Sequence, residues 1–228
     1  MNRPFISINV AATADGKIDT FERGGASISS PRDKQRVDEL RAAADAVMVG
    51  GHTLHDEDPR LTVKSEALRG ARASRGLPAN PAKVAVSSRL QLKPDCRFLN
   101  EGPARIILFT TPQTDAAQLD MLRSLGVQVH IHPGAQVDLA AALETLKRDG
   151  ISRLMVEGGA RLNFALLQLG LVDELTVYVA PLLFGGASAP TLADGSGLGR
   201  ERAIHLELVR SEPWDDGGVL LHYRVRGR

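Results

Sequence analysis

Two short stretches of the sequence carry side chains that could exchange protons with a substrate. Asp15 and Lys17 place a carboxylate and an ammonium group two residues apart, with a glycine between them. Glu157 ends a short apolar run and directly precedes Gly158-Gly159. A buried carboxylate at the end of a strand is costly unless it is hydrogen-bonded, so such a position suggests a functional group. These three side chains are the candidates for acid–base chemistry.

Two glycine pairs stand where phosphate could approach the backbone. Gly50-Gly51 and Gly158-Gly159 each follow a short apolar run and precede residues that can start a helix. Without a Cβ the chain can come close to a phosphate, and the free N–H groups of a helix start complement its charge. Either pair alone could equally well make only a tight strand–helix turn. Their occurrence on two such elements favours a bound pyrophosphate.

A third polar group, Ser87-Ser88-Arg89, comes directly after an apolar run. Two hydroxyls and a guanidinium could hold the 2′-phosphate that distinguishes NADPH from NADH, because arginine matches phosphate oxygens with a rigid fork of donors. A polar surface turn would have the same composition. The sequence leaves both interpretations open.

Several familiar sites are excluded by their missing residues. No Gly-x-Gly-x-x-Gly follows the first predicted strand, and no glycine is followed by Lys and Ser/Thr as in a P-loop. His205-x-Glu207 matches the first half of a zinc-deaminase signature, but the Pro-Cys-x-x-Cys half is absent and Cys96 is the only cysteine. We therefore expect neither a Rossmann site nor a metal.

The elements that must position these groups follow from apolar runs and glycines. Strands alternate with helices that end at a glycine, which is typical of an α/β sheet with parallel strands. Residues 55–82, rich in charge, Gly and Pro, are predicted to form a long loop. Strands are predicted at Phe5–Val10, Ala46–Val49, Lys83–Val86, Arg105–Phe109, Val127–Ile131, Arg153–Val156 and Leu175–Ala180, and helices from Pro31, at Asp115–Leu125, Asp138–Lys147 and Ala160–Leu169. Ile204–Val209 and Val219–Val225 are predicted to form a C-terminal antiparallel hairpin.

Composition limits the class of protein. The 228 residues are 43% hydrophobic and 24% charged, with 28 Lys+Arg against 27 Asp+Glu, as in an average soluble globular protein. This balance predicts no nucleic-acid partner, and the longest apolar runs are too short for a membrane helix. A single cysteine favours a reducing, cytoplasmic compartment. We interpret residues 1–228 as one domain.

Four motifs, taken in order, resemble the reductase domain of riboflavin biosynthesis, the C-terminal half of the bifunctional deaminase-reductase family, which is similar in fold to dihydrofolate reductase. They cover almost the whole chain, and the deaminase half is not among them, so a standalone form is expected. The motifs are Val10–Lys17, Gly51-His52-Thr53 with Asp58–Val63, Val156–Gly159 with Leu162-Asn163, and Val172–Leu175 through Pro181.

The resemblance implies a reaction. NADPH would deliver hydride to the anomeric carbon of a phosphoribosylamino-pyrimidine, which opens the ribose to a ribityl chain. Asp15, Lys17 and Glu157 resemble groups at the reacting sugar, while Arg41, Leu61 and Lys64 resemble contacts to its phosphate end. Together with the glycine and serine sites above, the candidate cofactor contacts are Ala11, Gly51, Thr53, Glu57, Ser87, Ser88, Arg89, Gly158, Gly159, Ala160, Arg161, Leu162 and Asn163.

Two departures from the family pattern bear on specificity. The family usually has arginine where this chain has Lys64, which is a point charge without a bidentate fork. Many bacterial relatives have tryptophan where this chain has Ala26-Ser27. A pterin reductase of the dihydrofolate reductase type therefore remains an alternative. The segment Leu171–Pro181 resembles the region through which relatives pair, so a homodimer is expected.

Overall fold

The computed structural model describes residues 2–226 and divides the chain into two compact units. Within that range, unit 1 contains residues 2–4 and Arg36–Met155, and unit 2 contains Phe5–Gln35 and residues 156–226. In the described part of the chain, β-strands that pair mostly in parallel alternate with helices. The predicted α/β class is therefore confirmed. No helix within residues 2–226 has the length and apolar character that crossing a membrane would require.

The strands and helices alternate along the chain as predicted. The strands are β1 (Phe5–Thr13), β2 (Ala46–Gly50), β3 (Ala82–Val86), β4 (Ile106–Thr110), β5 (Gln128–Ile131), β6 (Arg153–Val156), β7 (Glu174–Ala180), β8 (Leu206–Pro213) and β9 (Val219–Val225). The helices are α1 (Pro31–Ala43), α2 (Glu66–Ala73), α3 (Arg97–Asn100), α4 (Ala116–Ser124), α5 (Leu139–Arg148) and α6 (Ala160–Gln168), with a π-helical turn at Thr53–Glu57 and a 3₁₀ turn at Arg200–Arg202.

In unit 1 the strands lie in the order β5-β4-β3-β2, and all of these pairs are parallel. β2 and β3 are almost entirely buried, which explains why they read as continuous apolar runs. Gly50 pairs with Val86, and Val86 pairs with Phe109, so the carboxyl ends of β2, β3 and β4 are level. The residues that follow these strands, including Gly51 and Ser87, therefore emerge at the same edge.

In unit 2, β1 pairs in parallel with β7, and β7 pairs with β9 of the antiparallel hairpin β8–β9, as predicted. Thr13 and Ala180 are partners, so β1 and β7 end side by side. A buried cluster of Ile28, Tyr178, Ala180 and Trp214 packs beside these ends. The turn that holds Asp15 and Lys17 thus begins next to the segment that follows β7.

The prediction of a long loop at residues 55–82 is wrong. The π-helical turn reaches Glu57, α2 occupies Glu66–Ala73, and β3 begins at Ala82. α2 is capped by Ser65, whose hydroxyl accepts a hydrogen bond from Leu68 N at 3.3 Å. Arg72 is buried, and its guanidinium donates to the carbonyls of Ala42, Ala44 and Pro78. Because the buried residue of α2 is the charged Arg72, the sequence of α2 lacks the apolar stripe from which an amphipathic helix is predicted.

Lys83 is a fully buried cation in β3. Its ammonium donates to the carbonyls of Phe98 at 2.8 Å and Glu101 at 2.6 Å, so it caps the end of the short helix α3. Burial lowers the pKa of Lys83 to about 8, below the value of about 10.4 expected in the unfolded chain. Between these two values the unfolded chain binds the proton more tightly, so stability rises with pH.

We expect this titration to appear in the free energy of unfolding. Between about pH 7 and about pH 10.5, the wild type should gain about 3 kcal/mol relative to Lys83→Met, whose side chain does not titrate. Denaturant titrations of both proteins across this range measure the difference. If the free energy of unfolding depends on pH in the same way in both proteins, the pKa of Lys83 is not lowered in the folded state.

Candidate active site

Thr13 organises the turn that presents Asp15 and Lys17 in unit 2. Its hydroxyl donates to Asp15 Oδ1 at 2.6 Å and accepts from Lys17 N at 2.9 Å, while its own N–H donates to Lys17 O at 2.8 Å. Gly16 has a φ of 79°, a backbone conformation that favours glycine. The close spacing of Asp15 and Lys17 in sequence thus becomes a fixed arrangement at the end of β1.

The carboxylate of Asp15 is exposed, and both of its oxygens accept hydrogen bonds. In addition to the Thr13 hydroxyl, it accepts from Gly185 N at 2.7 Å and from Phe184 N at 3.3 Å. The hydrogen bond from Thr13 lowers the pKa of Asp15, and the two backbone N–H groups add to that shift. Asp15 is therefore ionised at neutral pH, and it acts as an acceptor and a fixed negative charge.

Lys17 lines a cavity of about 440 Å³ in unit 2. Its ammonium donates to Ala189 O at 3.2 Å, which leaves two further donors. Arg23, Thr191 and Asp194 also line the cavity, and Asp194 accepts the Thr191 hydroxyl at 2.6 Å. Lys17 is thus half-buried in a polar cavity, where an ammonium group can approach an oxygen or nitrogen of a ligand.

Residues 182–194, here called the bridging segment, connect the Asp15–Lys17 turn to the start of α6. Ala14 N donates to Leu182 O and Ile18 N donates to Pro190 O, so the segment lies along the turn. At its other end, Asn163 Nδ2 donates to Leu192 O at 2.9 Å and Asp194 N donates to Ala160 O at 3.2 Å. The sequence analysis missed this segment, whose only local signal was the glycine pair 185–186.

The start of α6 is built on a buried asparagine. Gly159 is the N-cap residue, and the Gly158–Gly159 peptide bond is cis. Asn163 has no exposed surface, and its amide is bonded to the bridging segment, so its side chain supports the helix start from within. Ala160 and Leu162 are also buried, whereas Arg161 is exposed and Glu157, at the end of β6, is half-buried. A contact between 158–163 and a cofactor stays a prediction.

In unit 1, Gly51 and Ser87 touch at the level ends of β2 and β3. A Cβ on Gly51 would stand 2.6 Å from Ser87 Oγ, so position 51 has no room for a side chain. The Ser87 hydroxyl donates to Arg89 O at 2.6 Å, and Ser88 O accepts the Thr111 hydroxyl at 2.7 Å. Ser87-Ser88-Arg89 is therefore an ordered turn at the site where sequence analysis placed a phosphate.

Most of the residues predicted to contact the phosphates of the cofactor lie at this edge, and a contact between them and a cofactor stays a prediction. The Arg89 guanidinium is exposed, with only a 3.5 Å ion pair to Asp115, and Ser88 is half-buried beside it. The π-helical turn begins at Thr53, two residues after Gly51. Thr53 is buried, while Glu57 is exposed at the end of the turn. Of the other predicted cofactor residues, Ala11 is half-buried in β1 of unit 2.

The residues predicted to contact the substrate phosphate also come together in unit 1. Arg41 Nη1 of α1 donates to Thr62 O at 3.1 Å, which places its guanidinium beside the segment that contains Leu61 and Lys64. Leu61 is buried in the core with a φ of 50°, and Lys64 is exposed. Arg41 and Lys64 can therefore reach a ligand, whereas Leu61 anchors the segment.

The sequence matches the family model of the RibD C-terminal domain over residues 4–220. It is 40% identical over 195 residues to the 2,5-diamino-6-ribosylamino-4(3H)-pyrimidinone 5′-phosphate reductase of Archaeoglobus fulgidus, covering 85% of this chain and 87% of that one. It is 39% identical over 227 residues to the reductase of the same name from Methanothermobacter thermautotrophicus, covering 99% and 100%.

Solved structures show the same fold. A pyrimidine reductase-like protein from Corynebacterium diphtheriae superposes with a TM-score of 0.83 at 22% identity, covering 100% of this chain and 94% of that one. Dihydrofolate reductase from Enterococcus faecalis gives a TM-score of 0.52 at 12% identity, covering 97% and 96%. From the family match and the two reductases, we conclude that the chain belongs to the RibD C-terminal domain family.

Proposed function

We propose that this oxidoreductase reduces 2,5-diamino-6-ribosylamino-4(3H)-pyrimidinone 5′-phosphate with NADPH. The observation that carries the proposal is the 39% identity to a reductase of that name over 99% of this chain and 100% of that one. The ionised Asp15 and the cavity-lining Lys17 agree with it, because the reaction moves protons at a sugar. The relatives favour the pyrimidinone with two amino groups over its deaminated counterpart.

The reaction adds one hydride and one proton to the substrate. The ribose ring opens when the bond between the anomeric carbon and the ring oxygen breaks; the oxygen gains a proton and the exocyclic nitrogen loses one. The resulting C=N bond is then reduced, with hydride added at carbon and a proton at nitrogen. NADPH, when bound, supplies the hydride; the remaining steps are proton transfers that side chains can assist.

In the proposed reaction, Lys17, Glu157 and Asp15 of unit 2 have different roles in these proton transfers. Lys17 donates a proton or hydrogen bond at the sugar, since its ammonium keeps two donors beyond its bond to Ala189 O. Glu157 is the second proton-transfer group. Asp15 remains ionised; it holds the Lys17 turn against Phe184 and Gly185 and contributes a negative charge that favours a cationic transition state.

The decisive experiment follows NADPH oxidation by the purified chain with three substrates: the diamino-pyrimidinone phosphate, its deaminated counterpart and dihydrofolate. We expect the diamino compound to give the highest kcat/KM. Faster reduction of dihydrofolate would replace this function by a pterin reductase, and NADPH binding without turnover of any substrate would identify a binding protein.

The preference for NADPH over NADH is expected to depend on the Ser87-Ser88-Arg89 turn. Combining Ser88→Ala with Arg89→Ala should narrow the ratio of kcat/KM values for the two cofactors by roughly 10- to 100-fold, the value of a charge-assisted hydrogen bond to phosphate. Asp115→Asn, which releases Arg89 from its ion pair, is the matched variant and should leave the ratio unchanged or slightly larger. An unaltered ratio in the double variant would remove Arg89 from the cofactor site.

We also propose that the protein is a homodimer. β7 is hydrogen-bonded to β1 on one side and to β9 on the other, so Leu171–Pro181 has no free strand edge and would pair through side chains. Analytical ultracentrifugation over a range of concentrations tests this state. A monomer at all concentrations would refute it.

We place the enzyme in the cytoplasm on chemical grounds. Its one cysteine, Cys96, is free, and its proposed cofactor belongs to the reducing pool of that compartment. Fractionation of cells that produce the untagged chain tests the location.

A further inference from the structure

Residues 61–65, here called the strip, have no regular secondary structure, and side chains take the place of a neighbouring strand. Val63 N donates to Asn80 Oδ1 at 2.9 Å. Lys64 N and Ser65 N donate to the two carboxylate oxygens of Asp38 at 2.6 and 2.7 Å. Asn80 and Asp38 are both buried, so the position of the strip is set from within unit 1.

Two guanidinium groups meet on the carbonyls of the same strip. Arg41 Nη1 donates to Thr62 O at 3.1 Å, and Arg69 Nη1 of α2 donates to Val63 O at 2.9 Å and Lys64 O at 2.6 Å. Three consecutive residues extend over at most about 7 Å between their Cα atoms, so both guanidinium groups are anchored on one short segment.

Arg69 and Lys64 form no close ion pair with a carboxylate of the described residues. Within residues 2–226, neither side chain has a carboxylate within 4.0 Å, whereas Arg60 is paired with Glu101 and Arg105 with Asp149. Asp38, whose two oxygens accept from Lys64 N and Ser65 N, adds one negative charge beside these cations. An anion with several oxygens is the ligand that such a group of cations would bind most strongly.

We propose that Arg69 binds the phosphate monoester of the substrate together with Arg41 and Lys64. Lysine is a point charge, and Arg69 supplies beside it the planar donor group that an arginine at position 64 would have offered. Only Nη1 of Arg69 is used on the strip, so Nη2 and Nε remain as donors to phosphate oxygens. The inference rests on the proposed function and adds Arg69 to the residues that would bind the phosphate group of the substrate.

The first test is Arg69→Gln in the full chain. The KM for the pyrimidinone phosphate should rise about tenfold or more with little change in kcat, since a charge-assisted bond to phosphate is lost. Turnover of the dephosphorylated substrate should not change. Inorganic phosphate should become a weaker competitive inhibitor by a similar factor. Arg75→Gln, which replaces an exposed arginine just after α2, is the matched control and should behave as wild type.

A double-mutant cycle separates direct binding from positioning of Lys64. If Arg69 touches phosphate itself, adding Arg69→Gln to Lys64→Ala raises the phosphate inhibition constant further. If Arg69 only holds the strip, the second change has no further effect, and the proposal is overturned. Should Arg69→Gln fail to fold, Arg69→Lys keeps the charge without the fork of donors; its KM should still exceed that of the wild type, and an unchanged KM would overturn the proposal.

The failures of the two proposals differ. A wild type that does not reduce the pyrimidinone phosphate refutes the proposed function. An active wild type whose KM is unaffected by Arg69→Gln refutes the role of Arg69 alone.

Discussion

Replacing Lys17 with alanine is expected to lower kcat for the pyrimidinone phosphate by about 100- to 10,000-fold, the usual contribution of a general acid–base group. The ammonium is held in the cavity by Ala189 O, and no other residue of the Asp15–Lys17 turn can donate a proton at that place. NADPH affinity should not change. Single-turnover kinetics, together with titration of NADPH fluorescence, measure both quantities.

The control for this variant is Lys34→Ala, which removes an exposed lysine of α1 in the same unit. It should retain the wild-type rate. An equal unfolding midpoint for Lys17→Ala and wild type would show that the turn survives the change. Near-full activity of Lys17→Ala would mean that this side chain does not act at the reacting sugar.

Glu157→Gln should lower kcat by a similar factor, about 100- to 10,000-fold, because it keeps the size and shape of the side chain but removes the group that can accept and return a proton. Glu157 is half-buried at the end of β6 and precedes Gly158, so little rearrangement is expected. The KM for the pyrimidinone phosphate should change little in the variant. Steady-state kinetics over a range of substrate concentrations distinguish a loss in kcat from weaker substrate binding.

A matched control is Glu144→Gln, which changes an exposed glutamate of α5 and should leave kcat unaltered. If Glu157→Gln keeps a kcat close to that of the wild type, Glu157 does not transfer a proton in the reaction. That result would leave Lys17 as the remaining proton-transfer candidate in unit 2.

The alternating elements could be predicted from sequence because their signals are local. Gly126, Gly150 and Gly170 follow α4, α5 and α6 with φ values of 75°, 89° and 66°, the conformation that ends a helix. Ser30 caps α1 by accepting from Asp33 N at 3.2 Å. The carboxyl-end positions of Gly51 and Ser87 followed directly from these elements.

The rest depends on contacts between residues far apart in sequence. Lys17 and Ala189 are separated by 172 positions, so no pattern near either one announces their hydrogen bond. The strip is similarly held by Asp38 and Asn80, whose types alone suggest surface polar residues. The sequence therefore supplied candidate residues for the chemistry, whereas the segments that hold those residues could be found only in the structure.

The bridging segment has a consequence for engineering and for divergence within the family. If the last third of this chain is exchanged for that of a relative, the backbone carbonyls that face Lys17 come from the relative, whereas Lys17 itself does not change. Insertions or deletions between Leu182 and Asp194 would have the same effect. We therefore expect a chimera to be functional only when β1, the Asp15–Lys17 turn and the bridging segment all come from the same parent protein.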